Sequence, residues 1–169
     1  MLVLLLGACE ASRPNAGEFG TPTRVDPATT APATRQIVRL TTDGLEYVMR
    51  RNELAAALTR QFGDGTVIDK VLVKAAPAAT GTPAKYYLIG MGLNGGNFRA
   101  MALPLTGSTD STYSLNPRAN RYILTGRGCP MCFFNFEDGE IAGTTCAENT
   151  GNVVCDFKSE SGNEMFTRR

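Results

Sequence analysis

The chain contains no histidine and no tryptophan. Without histidine there is no imidazole to activate a serine or cysteine nucleophile, to act as a general base or to bind a metal ion. An enzyme built on this sequence would have to use carboxylates, lysines, tyrosines or thiols, and no pair of these stands at a spacing typical of a known reaction. We therefore predict that the protein is not an enzyme, with no catalytic residues, no metal site and no cofactor.

An excess of charge of either sign is also lacking. The 169 residues include 17 basic and 16 acidic side chains, which are dispersed along the chain and give a net charge of +1. Nucleic acids bind strongly basic surfaces, so the sequence argues against a nucleic-acid partner. Hydrophobic residues make up 43% and charged residues 20%, as in an ordinary globular protein. About 130 residues remain beyond a leader and a linker, enough for one hydrophobic core.

The first nine residues, MLVLLLGAC, are apolar and end in small residues and a cysteine. This run is far too short to cross a bilayer, and it is typical of a signal segment over residues 1–8. The tetrad Leu6-Gly7-Ala8-Cys9 resembles the lipobox of bacterial lipoproteins, although no lysine or arginine precedes the apolar stretch. The resemblance implies that Cys9 is lipidated and anchors the mature protein to a membrane. The alternative is a buried N-terminal strand.

Residues 9–35 are rich in proline, alanine, threonine, glycine and serine, and they show no apolar periodicity. Such a composition is typical of a flexible tether. We therefore divide the chain into a signal segment (1–8), a lipid-anchored flexible linker (9–35) and a single globular domain (36–169). This organisation predicts a protein of the cell envelope, lipid-anchored and facing the periplasm or the outer membrane.

Apolar residues return at Ile37, and the segment 45–49 suits a helix and a strand equally. The next segment is clearer, because Leu54, Leu58 and Phe62 recur at four-residue steps and fall on one helical face. Asn52 is a suitable N-cap for this helix, and Gly63 stands where a left-handed C-cap is expected. The pattern predicts a helix from about Glu53 to Phe62.

Beyond Gly65 the period changes to two, as in a strand with one wet face, and Val71 and Val73 alternate with Lys70 and Lys74. Strands over 86–93 and 98–105 flank the turn 94–97, Asn-Gly-Gly-Asn, which predicts a hairpin. Three more short strands are predicted over 122–125, 132–136 and 153–157. The fold class is α+β: an antiparallel β-sheet with one packed helix and disulfide-clasped C-terminal hairpins.

Four cysteines remain if Cys9 carries lipid, and an even number in an exported domain predicts disulfides: Cys129, Cys132, Cys146 and Cys155. A hairpin centred on Thr150-Gly151 would place Cys146 opposite Cys155 and leave Cys129 to pair with Cys132. A hairpin at Asp138-Gly139 instead brings Cys132 near the position facing Cys146, which leaves Cys129 for Cys155. We slightly favour the first pairing.

Other chemistry competes with these structural disulfides. The tetrad Cys129-Pro130-Met131-Cys132 resembles the active site of glutaredoxin-like oxidoreductases, but in that fold a helix follows the motif, and none is expected after Cys132. Four thiolates could also form a zinc or iron–sulfur site, although a second closely spaced cysteine pair is missing. The acidic residues Glu137, Asp138 and Glu140 lack the calcium-binding pattern of an EF-hand and indicate a turn.

The run Tyr-Tyr-Leu-Ile-Gly-Met-Gly at 86–92, followed by Gly-Cys-x-x-Cys-x-Phe at 128–134, resembles small uncharacterised lipoproteins of bacterial envelopes. That resemblance implies no activity for any residue. We expect a non-catalytic envelope lipoprotein with a binding or structural role, whose partner is a membrane together with an unidentified protein or small molecule. Phe133, Phe134 and Phe136 either form a contact patch or, as we favour, fill the core beside the disulfides.

Overall fold

The computed structural model describes residues 34–148, 151 and 153–166. The predicted signal segment, Cys9 and all but the last residues of the predicted linker lie outside these ranges. These ranges contain ten strands and one helix, in the order β1 (Arg35–Thr41), β2 (Gly44–Tyr47), α1 (Arg51–Phe62), β3 (Val67–Ala76), β4 (Lys85–Asn94), β5 (Asn97–Gly107), β6 (Thr112–Leu115), β7 (Arg121–Arg127), β8 (Cys132–Glu137), β9 (Glu140–Cys146) and β10 (Val154–Glu160).

Eight of these strands form one antiparallel sheet, as the alternating apolar pattern predicts. Its strand order is β10-β7-β5-β6-β1-β2, and β4 joins β3 to the other edge of β5. The long strand β5 is central because one edge pairs with β4 over residues 97–105, while the other pairs first with β7 and then with β6. The remaining two strands, β8 and β9, form a separate antiparallel sheet.

The predicted hairpin at 94–97 joins β4 to β5. Asn94 lies opposite Asn97, and Gly95 and Gly96 both have positive φ angles, of 54° and 82°. A two-residue turn of this kind requires the left-handed region at both positions, which glycine enters without steric cost. The turn therefore sets the register of the two strands at the centre of the sheet.

Helix α1 begins two residues earlier than predicted and ends where predicted. Arg50 occupies the N-cap position without a side-chain cap, so Asn52 is not the cap, and its Oδ1 accepts a hydrogen bond from the Glu53 N–H inside the first turn. Gly63 is left-handed, with φ 65°, and its N–H bonds to the Thr59 carbonyl. The helix buries Leu54, Ala57 and Leu58, while Phe62 is half-buried.

Both faces of the central strands are buried. One face shares a hydrophobic cluster with the helix: Ile37, Val38, Leu54, Ala57, Leu58, Ile68, Val71, Leu88, Met101, Leu103, Leu105, Leu115, Ile123 and Met165. The other face shares a second cluster with the β8–β9 hairpin: Ala76, Tyr87, Ile89, Phe98, Ala100, Ala102, Leu124, Cys129, Cys132, Phe134 and Ile141. Each large apolar side chain buried this way stabilises the fold by about 1.5–3 kcal/mol.

The segment 45–49, for which the sequence pattern suited either element, is a strand over Gly44–Tyr47 and pairs with β1. The hydroxyl of Tyr47 accepts a hydrogen bond from the Val73 N–H on β3, at 2.9 Å. The Thr59 hydroxyl of α1 accepts the Ile68 N–H at 3.0 Å. Two donors along the outer edge of β3 are therefore occupied, which protects that edge of the large sheet from pairing with another chain.

Of the two predicted C-terminal hairpins, only the one at Asp138-Gly139 is present among the described residues. Asp138 and Gly139 have φ angles of 49° and 81°, and the turn joins β8 to β9. The hairpin predicted at Thr150-Gly151 is wrong, because β10 pairs with β7 and not with β9. Pairing with β7 gives seven matched residues and places Arg121 beside Glu160 and Arg127 beside Asp156, both at 2.6 Å.

Within the part of the chain that the structure describes, no helix has the length and apolar character needed to span a membrane.

Candidate functional site

All four C-terminal cysteines are in disulfides, as predicted, but both of the predicted pairings are wrong. The bonds join Cys129 to Cys146 and Cys132 to Cys155. The first prediction failed because β10, which carries Cys155, lies beside β7. The second failed although its hairpin exists, because Cys132 faces Cys146 across the β8–β9 pair without bonding to it.

A β-bulge explains how Cys132 comes to face Cys146. The two-residue turn alone would place Cys132 opposite Thr145, and the bulge between Asn135 and Phe136 shifts the register by one residue. The Cys132 side chain nevertheless bonds across to the large sheet. There it lies over Gly126, which pairs with Cys155, and a methyl group added at Gly126 would come within 2.8 Å of Cys132 Sγ. The missing side chain at Gly126 therefore makes room for this disulfide.

The two disulfides close the open end of the β8–β9 hairpin and fasten it to the large sheet. Cys129 precedes β8 and bonds to Cys146 at the end of β9, while Cys132 of β8 bonds to Cys155 on β10. The bonds span 17 and 23 residues. Each disulfide that closes a loop of this length adds about 3 kcal/mol to the free energy of unfolding, because it restricts the unfolded chain.

The disulfide arrangement weakens the redox and metal interpretations of these cysteines. Cys129 and Cys132 are not bonded to each other, both are buried, and Cys132 begins a strand where an oxidoreductase motif would begin a helix. The sulfur atoms of Cys129, Cys146 and Cys155 lie within 4.8 Å of one another. They are disulfide sulfurs, however, whereas zinc is bound by thiolates.

The turn end of the hairpin is held by polar contacts. The buried hydroxyl of Tyr87 donates to the Gly139 carbonyl at 3.0 Å and lies 3.2 Å from Glu140 Oε2, while Lys85 forms an ion pair with Glu140. Burial, followed by the nearby Glu140 charge, raises the pKa of the Tyr87 hydroxyl well above its usual range. The hydrogen bond from Lys85 lowers the pKa of the Glu140 carboxyl. Glu140 is thus an ion-pair partner in a turn, in agreement with the predicted turn at 137–140.

The fastened hairpin leaves part of the large sheet uncovered, and an apolar groove of about 190 Å³ lies there. We call it the β3–β8 groove. Its floor is one face of three strands, formed by Leu72 of β3, Ile89 and Met91 of β4, and Ala100 of β5, and Lys70 and Lys74 of β3 border this floor. Its wall is formed by Met131, Cys132, Phe133, Phe134 and Phe136.

The wall of the β3–β8 groove runs along the edge of β8. Successive side chains of a strand point to opposite faces, so a groove that touches 131–134 without interruption must follow the edge of the strand. Among the described strands β8 pairs with β9 alone. The other edge of this small sheet is occupied, because the Thr144 hydroxyl of β9 donates to the Cys155 carbonyl of β10. The groove therefore borders the unpaired edge of β8.

Two lysines give the β3–β8 groove a positive rim. Lys70 and Lys74 are exposed, and no acidic side chain is among the described residues that line the groove. Neither lysine forms an ion pair within the described ranges, and Lys74 Nζ lies 5.0 Å from the centre of the Phe136 ring. A cation held against an aromatic face remains available to an anion on its other side. The groove thus combines an apolar floor with two available positive charges.

The three phenylalanines near the disulfides divide between the two predicted roles. Phe134 is buried in the second cluster and Phe136 packs against it, which agrees with the core interpretation. Phe133 is 44% exposed and lines the groove, as a contact residue would.

The alternation predicted for β3 is also present, but Leu72 lies between the two lysines on the face that meets the hairpin. The sequence pattern alone did not reveal this groove, because its wall comes from a strand about 60 residues further along the chain.

A larger, polar cleft of about 670 Å³ lies at the C-terminal end of α1 and is lined by Arg35, Arg60, Gln61, Arg121 and Glu164, among others. Two of its arginines have structural partners, since Arg121 pairs with Glu160 and Arg35 stacks on Phe166. A positive side chain in the last turn of a helix also stabilises the helix dipole, which accounts for Arg60. The three arginines of this cleft therefore have a structural explanation.

Comparison of the chain with protein-family models, with curated proteins and with solved structures gave no match.

Disulfide mapping tests the cysteine pairing. Cleavage after Met131, Glu137 and Glu148 leaves each C-terminal cysteine on its own fragment, so mass spectrometry of the unreduced digest identifies the bonded pairs. We expect Cys129 with Cys146 and Cys132 with Cys155. The paired replacements C129A/C146A and C132A/C155A should each lower the free energy of unfolding by about 3 kcal/mol. Recovery of a Cys129–Cys132 fragment would contradict the structure.

The Glu140 ion pair predicts a specific loss of stability in acid. A carboxyl whose pKa is lowered by folding stabilises the native state at neutral pH, and this contribution is lost as the pH falls below its ordinary value of 4.5. Glu140→Gln should therefore make the free energy of unfolding, measured in urea between pH 7 and pH 3, less dependent on pH. Glu137→Gln, which removes an exposed carboxylate without a described ion pair, is the control. An equal effect of both replacements would refute the assignment.

Proposed function

We propose that this chain is a non-catalytic envelope lipoprotein whose disulfide-fastened domain binds a ligand in the β3–β8 groove. The lipobox-like residues Leu6-Gly7-Ala8-Cys9 and the linker composition of 10–35 support the anchored part of the proposal. The two disulfides are compatible with an oxidising compartment such as the periplasm. The membrane partner of the protein is then the bilayer that holds the lipid on Cys9.

The observation that carries the binding role is the preformed shape of the groove. The hairpin that forms its wall is fastened by two disulfides at one end and by Tyr87, Lys85 and Glu140 at the other. A site that is already open and rigid avoids the entropic cost of ordering upon binding. An exposed apolar surface beside charged groups is typical of an interaction site.

Replacement of Cys9 tests the lipid anchor. The wild-type protein, expressed with its leader in a bacterial host, should fractionate with membranes and carry the mass of attached acyl groups at its N-terminus. Cys9→Ser should lose the acyl mass and appear in the soluble fraction, because a serine cannot form the thioether. Membrane association that survives this replacement would rule out Cys9 as the anchor.

A pair of matched phenylalanine variants tests the groove. The fluorescence of anilinonaphthalene sulfonate, an amphipathic anion, should rise when it binds the folded Cys9→Ser chain. Phe133→Ser should reduce this signal severalfold, because Phe133 lines the groove, whereas Phe157→Ser should leave it unchanged. Phe157 is exposed to a similar degree, 37% against 44%, but lies on β10 outside the groove. Equal signals from the two variants would exclude the groove as the binding site, provided that their circular dichroism spectra match the wild type.

A further inference from the structure

The groove has the geometry to receive an extended peptide. The edge of β8 that borders it has no strand partner in the described structure, and an unpaired edge presents a row of backbone donors and acceptors. The exposed edge of β3 is less suited to pairing with an added strand. Two of its backbone N–H groups, those of Val73 and Ile68, already donate to the Tyr47 and Thr59 hydroxyls. An added strand would therefore pair with β8 and lie above the floor of the groove.

The floor specifies the side chains that such a strand would carry. Lys70, Leu72 and Lys74 lie on one face of β3, each two residues from the next. The Cα atoms of the two lysines are therefore about 13 Å apart along the strand. Leu72 lies between them, with Ile89 opposite it on β4. Side chains on one face of an extended peptide have the same spacing. A peptide with an apolar residue, and with an acidic residue two positions before it and two positions after it, would therefore place the apolar side chain at Leu72 and the two carboxylates at Lys70 and Lys74.

The size of the groove limits the apolar residue. Its volume of about 190 Å³ is slightly larger than the roughly 150 Å³ cavity that holds a benzene molecule in another protein. It is smaller than the roughly 300 Å³ or more of a typical small-molecule site. The groove therefore accommodates one large aliphatic or aromatic group, and the rest of a larger ligand would lie outside it.

We propose that the β3–β8 groove binds an extended acidic peptide segment of another envelope protein, which adds as a strand to the free edge of β8. Its central apolar side chain enters the groove, and acidic side chains on either side pair with Lys70 and Lys74. This proposal rests on the binding role proposed above and specifies its partner. Main-chain pairing supplies affinity in this mode of recognition, and alternate side chains supply specificity.

The first test uses charge. The probes are the fluorescein-labelled peptides TETLTET and TKTLTKT, which differ only in the sign of the flanking charges, and the protein is the full chain carrying Cys9→Ser with its disulfides formed. Fluorescence anisotropy should show at least tenfold tighter binding of the acidic peptide. The variant K70E/K74E should reverse this preference, whereas the control R39E/R118E, which changes net charge equally at exposed positions outside the groove, should retain it.

The second test uses the backbone. The N–H groups of an extended peptide alternate between its two edges, so only one alternate set can pair with β8. Two versions of TETLTET are compared, one with methyl groups on the backbone nitrogens of the first set and the other with methyl groups on those of the second set. One version should lose at least tenfold in affinity and the other should bind nearly as the parent peptide does.

The outcomes separate this inference from the proposed binding role. Reversal of the charge preference together with loss from only one methylation pattern supports the peptide. Binding of the naphthalene sulfonate probe in the groove without binding of either peptide overturns the peptide proposal and leaves the groove as a ligand site. The peptide proposal is also overturned if dodecanoate displaces the probe from the wild type but not from K70E/K74E, while neither peptide displaces it. Absence of probe and peptide binding refutes both proposals.

Discussion

The covalent bond between Cys132 and Cys155 is the constraint on which the second face of the sheet depends. It joins the small β8–β9 sheet to the last strand of the large sheet, directly over Gly126. Without it, the hairpin would be attached to the sheet by apolar packing and by the polar contacts at its turn. Two isolated strands are marginally stable in water, so the hairpin needs this connection to cover the buried side chains of β5 and β7.

The second disulfide and the Tyr87 contacts make the hairpin a rigid cover. Cys129–Cys146 fixes its open end, and the Tyr87 hydroxyl with the Lys85–Glu140 pair fixes its turn. Because the cover is narrower than the sheet, the outer part of β3 and β4 stays accessible on that face. The β3–β8 groove results directly from this arrangement. The attachment of the β8–β9 sheet to the large sheet brings together an apolar floor, a free strand edge and two lysines.

The two faces of the sheet thus differ in how they are closed. The face beneath α1 is covered by a helix whose Leu54 and Leu58 are fully buried, and this closure needs no covalent bond. A methyl group added at Gly90 would lie 2.6 Å from Leu58 Cδ1, so the helix approaches the sheet closely. The opposite face carries the disulfides and the groove. The helix-covered core and the groove are therefore formed by different elements, on opposite faces of the sheet.

Local patterns in the sequence were sufficient for the helix and for the central hairpin. The four-residue apolar period and Gly63 identified the helix, and the paired glycines at 95 and 96 identified the central hairpin, because both signals act between residues close in the chain. The even number of C-terminal cysteines, in a domain expected to be exported, likewise predicted that they form disulfides. The leader motif at Cys9 remains a prediction from sequence.

Only the tertiary structure decided which strands and which cysteines are partners. Strand β10 pairs with β7 across 26 intervening residues (Gly128 to Val153) instead of with its sequence neighbour β9, and this choice moved Cys155 away from Cys146 and towards Cys132. The β-bulge at Asn135 and the space above Gly126 also contribute, and neither has a strong local signal. The groove arises in the same way, since Lys70, Leu72 and Phe133 meet only after two sheets pack. A sequence determines local conformation through neighbouring residues, whereas sheet partners depend on long-range packing that no short pattern encodes.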